Sequence, residues 1–350
     1  MKLGVSLIFL LTLTAGAFPQ SGRVKPVETP TPGPLPRPRI VYVPTQTVTT
    51  KSPTPTSTPP VEDDVYKVVS TLVPIPVSVL DARGRAVMNL QLADFELKID
   101  GKPAEISDLA RSETPIRLAM MFDNSSSVLI AREFEKDAAI KFFRRVIRPE
   151  KDMAALFSVS TVTTLEQPFT REVNDLTRAI ELFPPPEGAT ALLEGIILAA
   201  DHLREVEGRR VMVIVSDGDD TKSDATFEET VRALQIANCQ VYVVKTTDFE
   251  NFKRTGTRKG NANTRQLTAE RRMMEIAAQT GGAVYSPIDE RELDEAFRQI
   301  SAELAQQYVL SYYPEDDPSK RGQFREITLT LKSKPNLTIR TRKGYYVPKR

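Results

Sequence analysis

The sequence predicts an α/β protein: a central, mostly parallel, doubly wound sheet over residues 115–302, with an antiparallel β accessory domain assembled from the segments on either side. Three observations carry this prediction. Apolar strand cores alternate with amphipathic helices through the middle of the chain, the pattern of a parallel sheet covered on both faces. The flanking segments alternate apolar and polar residues at period two. A D-x-S-x-S cluster, Asp123, Ser125 and Ser127, stands where the first central strand ends, and open α/β sheets bind ligands beyond the carboxyl ends of their strands.

The first 17 residues read as a secretory leader: Lys2, an apolar stretch to about Leu13, then the small-x-small pattern Ala15-Gly16-Ala17. The apolar stretch is short for a membrane span and no second one follows, so the mature chain is expected to have no transmembrane segment and to be secreted, periplasmic or envelope-associated. Residues 18–63 form a Pro/Thr-rich tether; 11 of the chain's 26 prolines fall between 21 and 60, too few apolar groups accompany them to offset ordering entropy, and proline favours extended backbone. Within it, Arg39–Pro44 is the one strand candidate. The single cysteine, Cys239, excludes an intramolecular disulfide and is expected to be buried and inert.

Residues 64–114 supply the first part of the accessory domain: a β-branched run through Leu80, a turn at Arg83-Gly84, and alternation around Asp100-Gly101, a strong hairpin pair. Residues 303–350 alternate again in QYVLSYYP, FREITLTLKS and LTIRTRKGYYVP. Neither piece buries a core alone, so the two are expected to meet in one antiparallel sandwich or sheet. Between them the order is strand RLAMMFD, helix LIAREFEKDAAIKFFRRVI, strand MAALFSVST, and helices near VNDLTRAIELF and ALLEGIILAADHLREV. Strand VMVIVSD, helix FEETVRALQIAN, strand QVYVVKT, helix AERRMMEIAAQTG, strand GAVYS and helix LDEAFRQISAELAQQ complete it. The basic stretch 252–265 reads as a solvated loop or a contact for anions.

Three loops of this fold carry oxygen donors. Asp123, Ser125 and Ser127 follow the first strand. Thr190 lies in PPPEGATALLEG, where its hydroxyl also suits a helix N-cap, and Asp217 ends the VMVIVSD strand beside Gly218. Five such side chains suit a small hard cation, Mg²⁺ with Mn²⁺ or Ca²⁺ as alternatives, and leave octahedral positions for water and one partner oxygen. Neutral hydroxyls leave the ion much of its charge, so it can attract a carboxylate. Asp219 and Asp220 read either as acceptors that orient the donors or as a solvated acidic turn, and Asn124 as loop architecture.

The cluster D-x-S-x-S, with Thr190 and Asp217, resembles the metal-ion-dependent adhesion site of the von Willebrand factor type A, or integrin I, domain. The flanks resemble those of secreted acidobacterial-type proteins that contain this domain. The resemblance implies direct or water-mediated metal binding by Asp123, Ser125, Ser127 and Thr190, with Asp217 completing the shell through water.

Catalytic signatures are missing. The one histidine, His202, sits in a helical stretch without an acyl-transfer arrangement, and no G-x-x-x-x-G-K-S/T loop is present. Lys and Arg are scattered, with a net charge of +1, so nucleic acid is not an expected partner. The expectation is a non-enzymatic module that grips a protein carboxylate, or an oxygen-rich glycan, through its cation. The alternative is a structural or envelope-assembly component whose ion only orders the loops and whose β surfaces bind partners.

Overall fold

The computed structural model describes residues 72–111, 113–126, 131–257, 263–315, 317–332 and 336–349; the leader, the tether with its Arg39–Pro44 candidate, and residues 64–71 lie outside the described residues. The first flank gives β1 (Val73–Leu80), β2 (Phe95–Ile99), β3 (Lys102–Ala104) and β4 (Asp108–Arg111). Asp100 and Gly101 join β2 to β3 with φ of 50° and 75°, the left-handed pair that a two-residue hairpin of native twist requires. Asp100 also accepts the Glu326 N–H at 2.8 Å, tying this turn to the other flank.

The middle gives β5 (Ile116–Asp123), α1 (Arg132–Val146), β6 (Met153–Val159), β7 (Thr163–Thr170), α2 (Val173–Glu181), α3 (Leu192–Arg204) and β8 (Arg209–Ser216). It continues through α4 (Phe227–Ile236), β9 (Gln240–Lys245), α5 (Thr247–Thr255), α6 (Thr264–Thr280), β10 (Val284–Tyr285) and α7 (Glu290–Ala305). The last flank adds β11 (Tyr308–Tyr312), β12 (Phe324–Leu331), β13 (Thr338–Thr341) and β14 (Gly344–Tyr346).

The central sheet runs β10-β9-β8-β5-β6-β7, parallel except for β7, which pairs antiparallel with β6. Strand periodicity sorts its side chains onto two faces. Leu118, Met120 and Phe122 of β5 pack with Phe142 and Phe143 of α1, Leu176 of α2 and Phe297 of α7. Ala119 and Met121 face the other way, with Ile196 of α3, Leu234 of α4 and Ile276 of α6. Each large apolar side chain buried this way contributes roughly 1.5–3 kcal/mol against chain entropy.

The flanks do meet. They build two four-stranded sheets, β13-β1-β11-β4 and β14-β12-β2-β3, closed over Ile75, Val77, Phe95, Leu97, Leu310, Ile327 and Leu329. A buried polar seam joins this sandwich to the central domain. Gln307 Nε2 donates to Ser78 Oγ at 2.9 Å and to Gln240 Oε1 at 3.2 Å, and Arg342 donates to the Pro74 carbonyl at 2.7 Å and to Asn238. Glu303 accepts the Tyr242 hydroxyl at 3.0 Å and Arg340 at 3.2 Å. Gln240 and Asn238 mark the amino-terminal end of β9, so the sandwich docks at the end of the sheet opposite Asp123.

Two elements differ from the sequence reading. β7 has no apolar run; it is a half-exposed edge strand, stabilised by pairing to β6. Phe252–Thr255 belong to α5, and Thr264 and Arg265 open α6, so most described residues of the supposed basic loop are helical. Gly256 at φ 69° ends α5 and Asn263 caps α6 by accepting the Gln266 N–H, signals masked by the surrounding charge. Among the described residues, no helix is long and apolar enough to cross a membrane.

Candidate metal centre

Asp123 is the last residue of β5, and Asp217 follows the last residue of the adjacent parallel strand β8. The register alone therefore brings two carboxylates to one edge of the sheet. Asp123 is 2% exposed. Its Oδ1 accepts the Ser125 N–H at 3.0 Å, and its Oδ2 accepts the Ser216 hydroxyl at 2.7 Å. Burial, and next the charge of Asp217, raise its pKa to about 6 from an ordinary 3.8, and these donors only partly offset that rise. No cationic side chain pairs with it among the described residues. Asp217 is half-buried; its Oδ1 accepts the Asp219 N–H at 2.9 Å, and its carbonyl accepts the Thr247 hydroxyl at 3.1 Å.

Ser125, 3% exposed, sits directly over Asp123, and its hydroxyl also favours the charged carboxylate. Thr190, 3% exposed, lies in the loop before α3. Backbone hydrogen bonds hold the three loops together. Glu187 N–H donates to the Asn124 carbonyl at 2.9 Å, while Thr221 and Lys222 N–H donate to the Thr190 carbonyl at 2.9 and 3.0 Å. Four of the five sequence candidates, Asp123, Ser125, Thr190 and Asp217, thus lie on loops that are stitched to one another. Ser127 lies outside the described residues.

The neighbours have more definite duties than the sequence reading gave them. Thr190 is not the cap of α3; Ala191 holds that position, and Asp220 Oδ1 accepts the Leu192 N–H at 2.9 Å. Asp219 pairs with Arg265 at 2.7 Å, which anchors this turn to α6. Asn124 is buried at 4%, with its side-chain oxygen on Arg132, whose guanidinium also reaches the Pro184 carbonyl at 2.5 Å. Ser216 and Arg132 were invisible in the sequence: a serine inside an apolar strand and an arginine opening a helix carry no local mark of a site. His202 packs edge-on against Phe157 with its Nδ1 2.9 Å from the Leu198 carbonyl, and Cys239 is buried, with its pKa pushed up by that burial.

Among the described residues, no group of three or more His, Cys, Asp or Glu side chains is gathered to hold a metal. The donor set here is of another kind, two carboxylates with hydroxyls. Two acids brought side by side, one of them buried without a cationic partner, are chemically suited to a hard divalent cation.

Fold and site together define an α/β domain whose carboxyl edge presents acidic and hydroxyl oxygens. The chain belongs to the von Willebrand factor type A domain family, whose sequence pattern matches residues 118–299, just over half of its length. No curated protein matches it. Among solved structures it is similar to the PilB minor pilin from Streptococcus sanguinis, with TM-score 0.43 and 12% identity over 57% of this chain and 63% of that one, and so spans a little under two thirds of that pilin. It is also similar to an aerotolerance-related membrane protein from Bacteroides fragilis, with TM-score 0.40 and 18% identity over 53% of this chain and 98% of that one. For the pilus adhesin SpaC from Lactobacillus rhamnosus GG the values are 0.44 and 9%, over 73% and 48%.

Proposed function

We propose that this chain is an exported protein-binding module, for adhesion or assembly, that grips an acidic ligand through a divalent cation held by Asp123, Ser125, Ser127, Thr190 and Asp217. The observation that carries the reading is the Asp123 carboxylate, raised in pKa first by its burial and then by Asp217, and met by hydroxyl and amide donors but by no cationic side chain among the described residues. A cation there relieves the repulsion between the two acids. Mg²⁺ fits a set with so few charges, Mn²⁺ and Ca²⁺ being the alternatives. The ion's remaining charge and open positions suit a carboxylate from a protein partner, or less well the oxygens of a glycan. The role is non-enzymatic, since the donor set offers no separate base to activate water. Secretion or retention in the envelope follows from the leader in the sequence.

The sandwich docks at the opposite end of the sheet, so its described residues do not cover this face. Capture from extracellular and envelope fractions tests the reading, with mature protein in Mg²⁺, mature protein in chelator, and the Asp123→Ala variant. Partners retained only by the unmodified protein in Mg²⁺ are expected. Equal retention in all three arms would overturn the metal-dependent mechanism and assign binding to the β surfaces.

A further inference from the structure

A second group of acidic and hydroxyl oxygens lies behind the first, where α1 and α5 begin side by side. The Ala131 N–H, at the start of α1, donates to Glu250 Oε1 on α5 at 2.7 Å. One turn along α1, Glu135 is 1% exposed, and its Oε1 is fully enclosed with no hydrogen-bond partner. Thr246, the residue from which α5 springs, is 0% exposed and locked to the end of β8 by its N–H, which donates to the Ser216 carbonyl at 3.0 Å. Its hydroxyl is likewise enclosed without a partner. That hydroxyl lies near enough to Glu135 to favour the charged carboxylate, but the two oxygens do not close a direct hydrogen bond. Glu250 is 9% exposed.

Among the described residues the charge on Glu135 is only partly balanced, by Arg132. Burial first, then Asp123 and Glu250, push its pKa well above the ordinary carboxylate range. Among the described residues, the nearby cations make their hydrogen bonds, ion pairs and ring contacts with other groups: Arg132 with Asn124 and the Pro184 carbonyl, Lys253 with Glu290 and the rings of Phe134 and Phe249, Lys245 with Glu270. Enclosing an ionised carboxylate without counter-charge is far costlier than enclosing a paired one, and enclosing a hydroxyl without a partner adds to that cost. A divalent cation neutralises the enclosed carboxylate and accepts lone pairs from all three side chains.

We propose that Glu135, Glu250 and Thr246 form a second divalent-cation site, distinct from the Asp123 centre and sharing no donor with it. Its donors are all oxygen, which suits Ca²⁺ or Mg²⁺ with water filling the remaining positions. The ion would fasten the first turn of α5 to the first turn of α1, and so brace the strand end that carries Asp217 from behind.

Equilibrium dialysis of the full chain against CaCl₂ and against MgCl₂, with elemental quantification, tests the site. The unmodified protein is expected to bind two ions per chain, and Asp123→Ala, Glu135→Gln and Glu250→Gln one each. Thr246→Val should weaken the second ion at least tenfold while circular dichroism stays unchanged, and it serves should the glutamine variants fail to fold. In the Asp123→Ala background the cation-induced rise in Tm should survive, and it should vanish when Glu135→Gln is added. Unchanged stoichiometry in Glu135→Gln together with unchanged affinity in Thr246→Val would overturn the second site. Unchanged stoichiometry in Asp123→Ala would instead overturn the first, so the two failures are distinguishable.

Discussion

Replacing Ser216 by alanine would remove one hydroxyl from the candidate centre and ask whether the protein holds Asp123 as a carboxylate. That hydroxyl donates to Asp123 Oδ2 at 2.7 Å, and the same oxygen accepts the Gly218 N–H at 2.9 Å. Ser216 is 0% exposed at the end of a central strand, so alanine preserves the backbone and confines the loss to these two bonds. A hydrogen bond to an ionised group contributes about 1.5–3 kcal/mol, and a buried N–H left unmet costs about 1–3 kcal/mol. In chelator at pH 7 the expected loss of stability is about 3 kcal/mol. Its charge-dependent part follows a definite sign. Asp123 is raised from 3.8 to about 6 in the folded protein, so between those values the folded state keeps a proton that the unfolded chain has released. Stability of the metal-free protein therefore falls as pH rises through this window and levels off above it. Without the hydroxyl the carboxylate form loses a donor, so the deficit of Ser216→Ala should be greatest above about pH 6 and shrink toward about pH 4, leaving the Gly218 contribution. Mg²⁺ affinity should drop by about 2 kcal/mol, or about thirtyfold. Urea unfolding from pH 4 to pH 8 in chelator, with calorimetric Mg²⁺ titration at pH 7, reads both effects. A deficit that does not change with pH, or Mg²⁺ affinity within twofold of the unmodified protein, would refute the reasoning.

Asp152 controls a different pH range. Burial opposes its charge, but Arg148 and the Ile116 and Arg148 N–H groups outweigh that and hold its pKa below the ordinary value. Its contribution should be complete above the unfolded pKa and disappear as pH falls through the lower folded one. Asp152→Ala should cost about 2–3 kcal/mol at pH 7, because Arg148 can rehydrate while the Ile116 N–H cannot, and the difference should narrow in acid denaturation; an equal cost at pH 2 would contradict this. Gly282 permits the turn after α6 to lie on β9: a Cβ there would stand 1.8 Å from the Val241 carbonyl oxygen, so Gly282→Ala should lower stability by more than about 3 kcal/mol in chemical denaturation. A loss under about 1 kcal/mol would show that this backbone contact can open without consequence.

By itself, the sequence determined the layers and the address of the candidate site. Period-two and 3.6-residue patterns arise from local sterics and from which face meets water, so LAMMF, VMVIV and the flanking helices could be read directly. The strand-end position of Asp123 and Asp217 followed from the same patterns. The tertiary structure alone decided what depends on partners far apart in the chain. β7, with Thr, Glu and Gln where a core strand would have apolar residues, is a strand because β6 offers it an edge. The two flanks interleave, each contributing two strands to both sheets of one sandwich, and Asp100 meets Glu326, 226 residues away. Ser216 steadies Asp123 across 93 residues, Asp220 caps α3, and Glu135 becomes an enclosed acid because α5 packs against the start of α1. A hydroxyl or carboxylate has no local signature of its eventual partner. Its role is set by the charges and dipoles that packing brings within a few ångströms, where low dielectric makes each of them count.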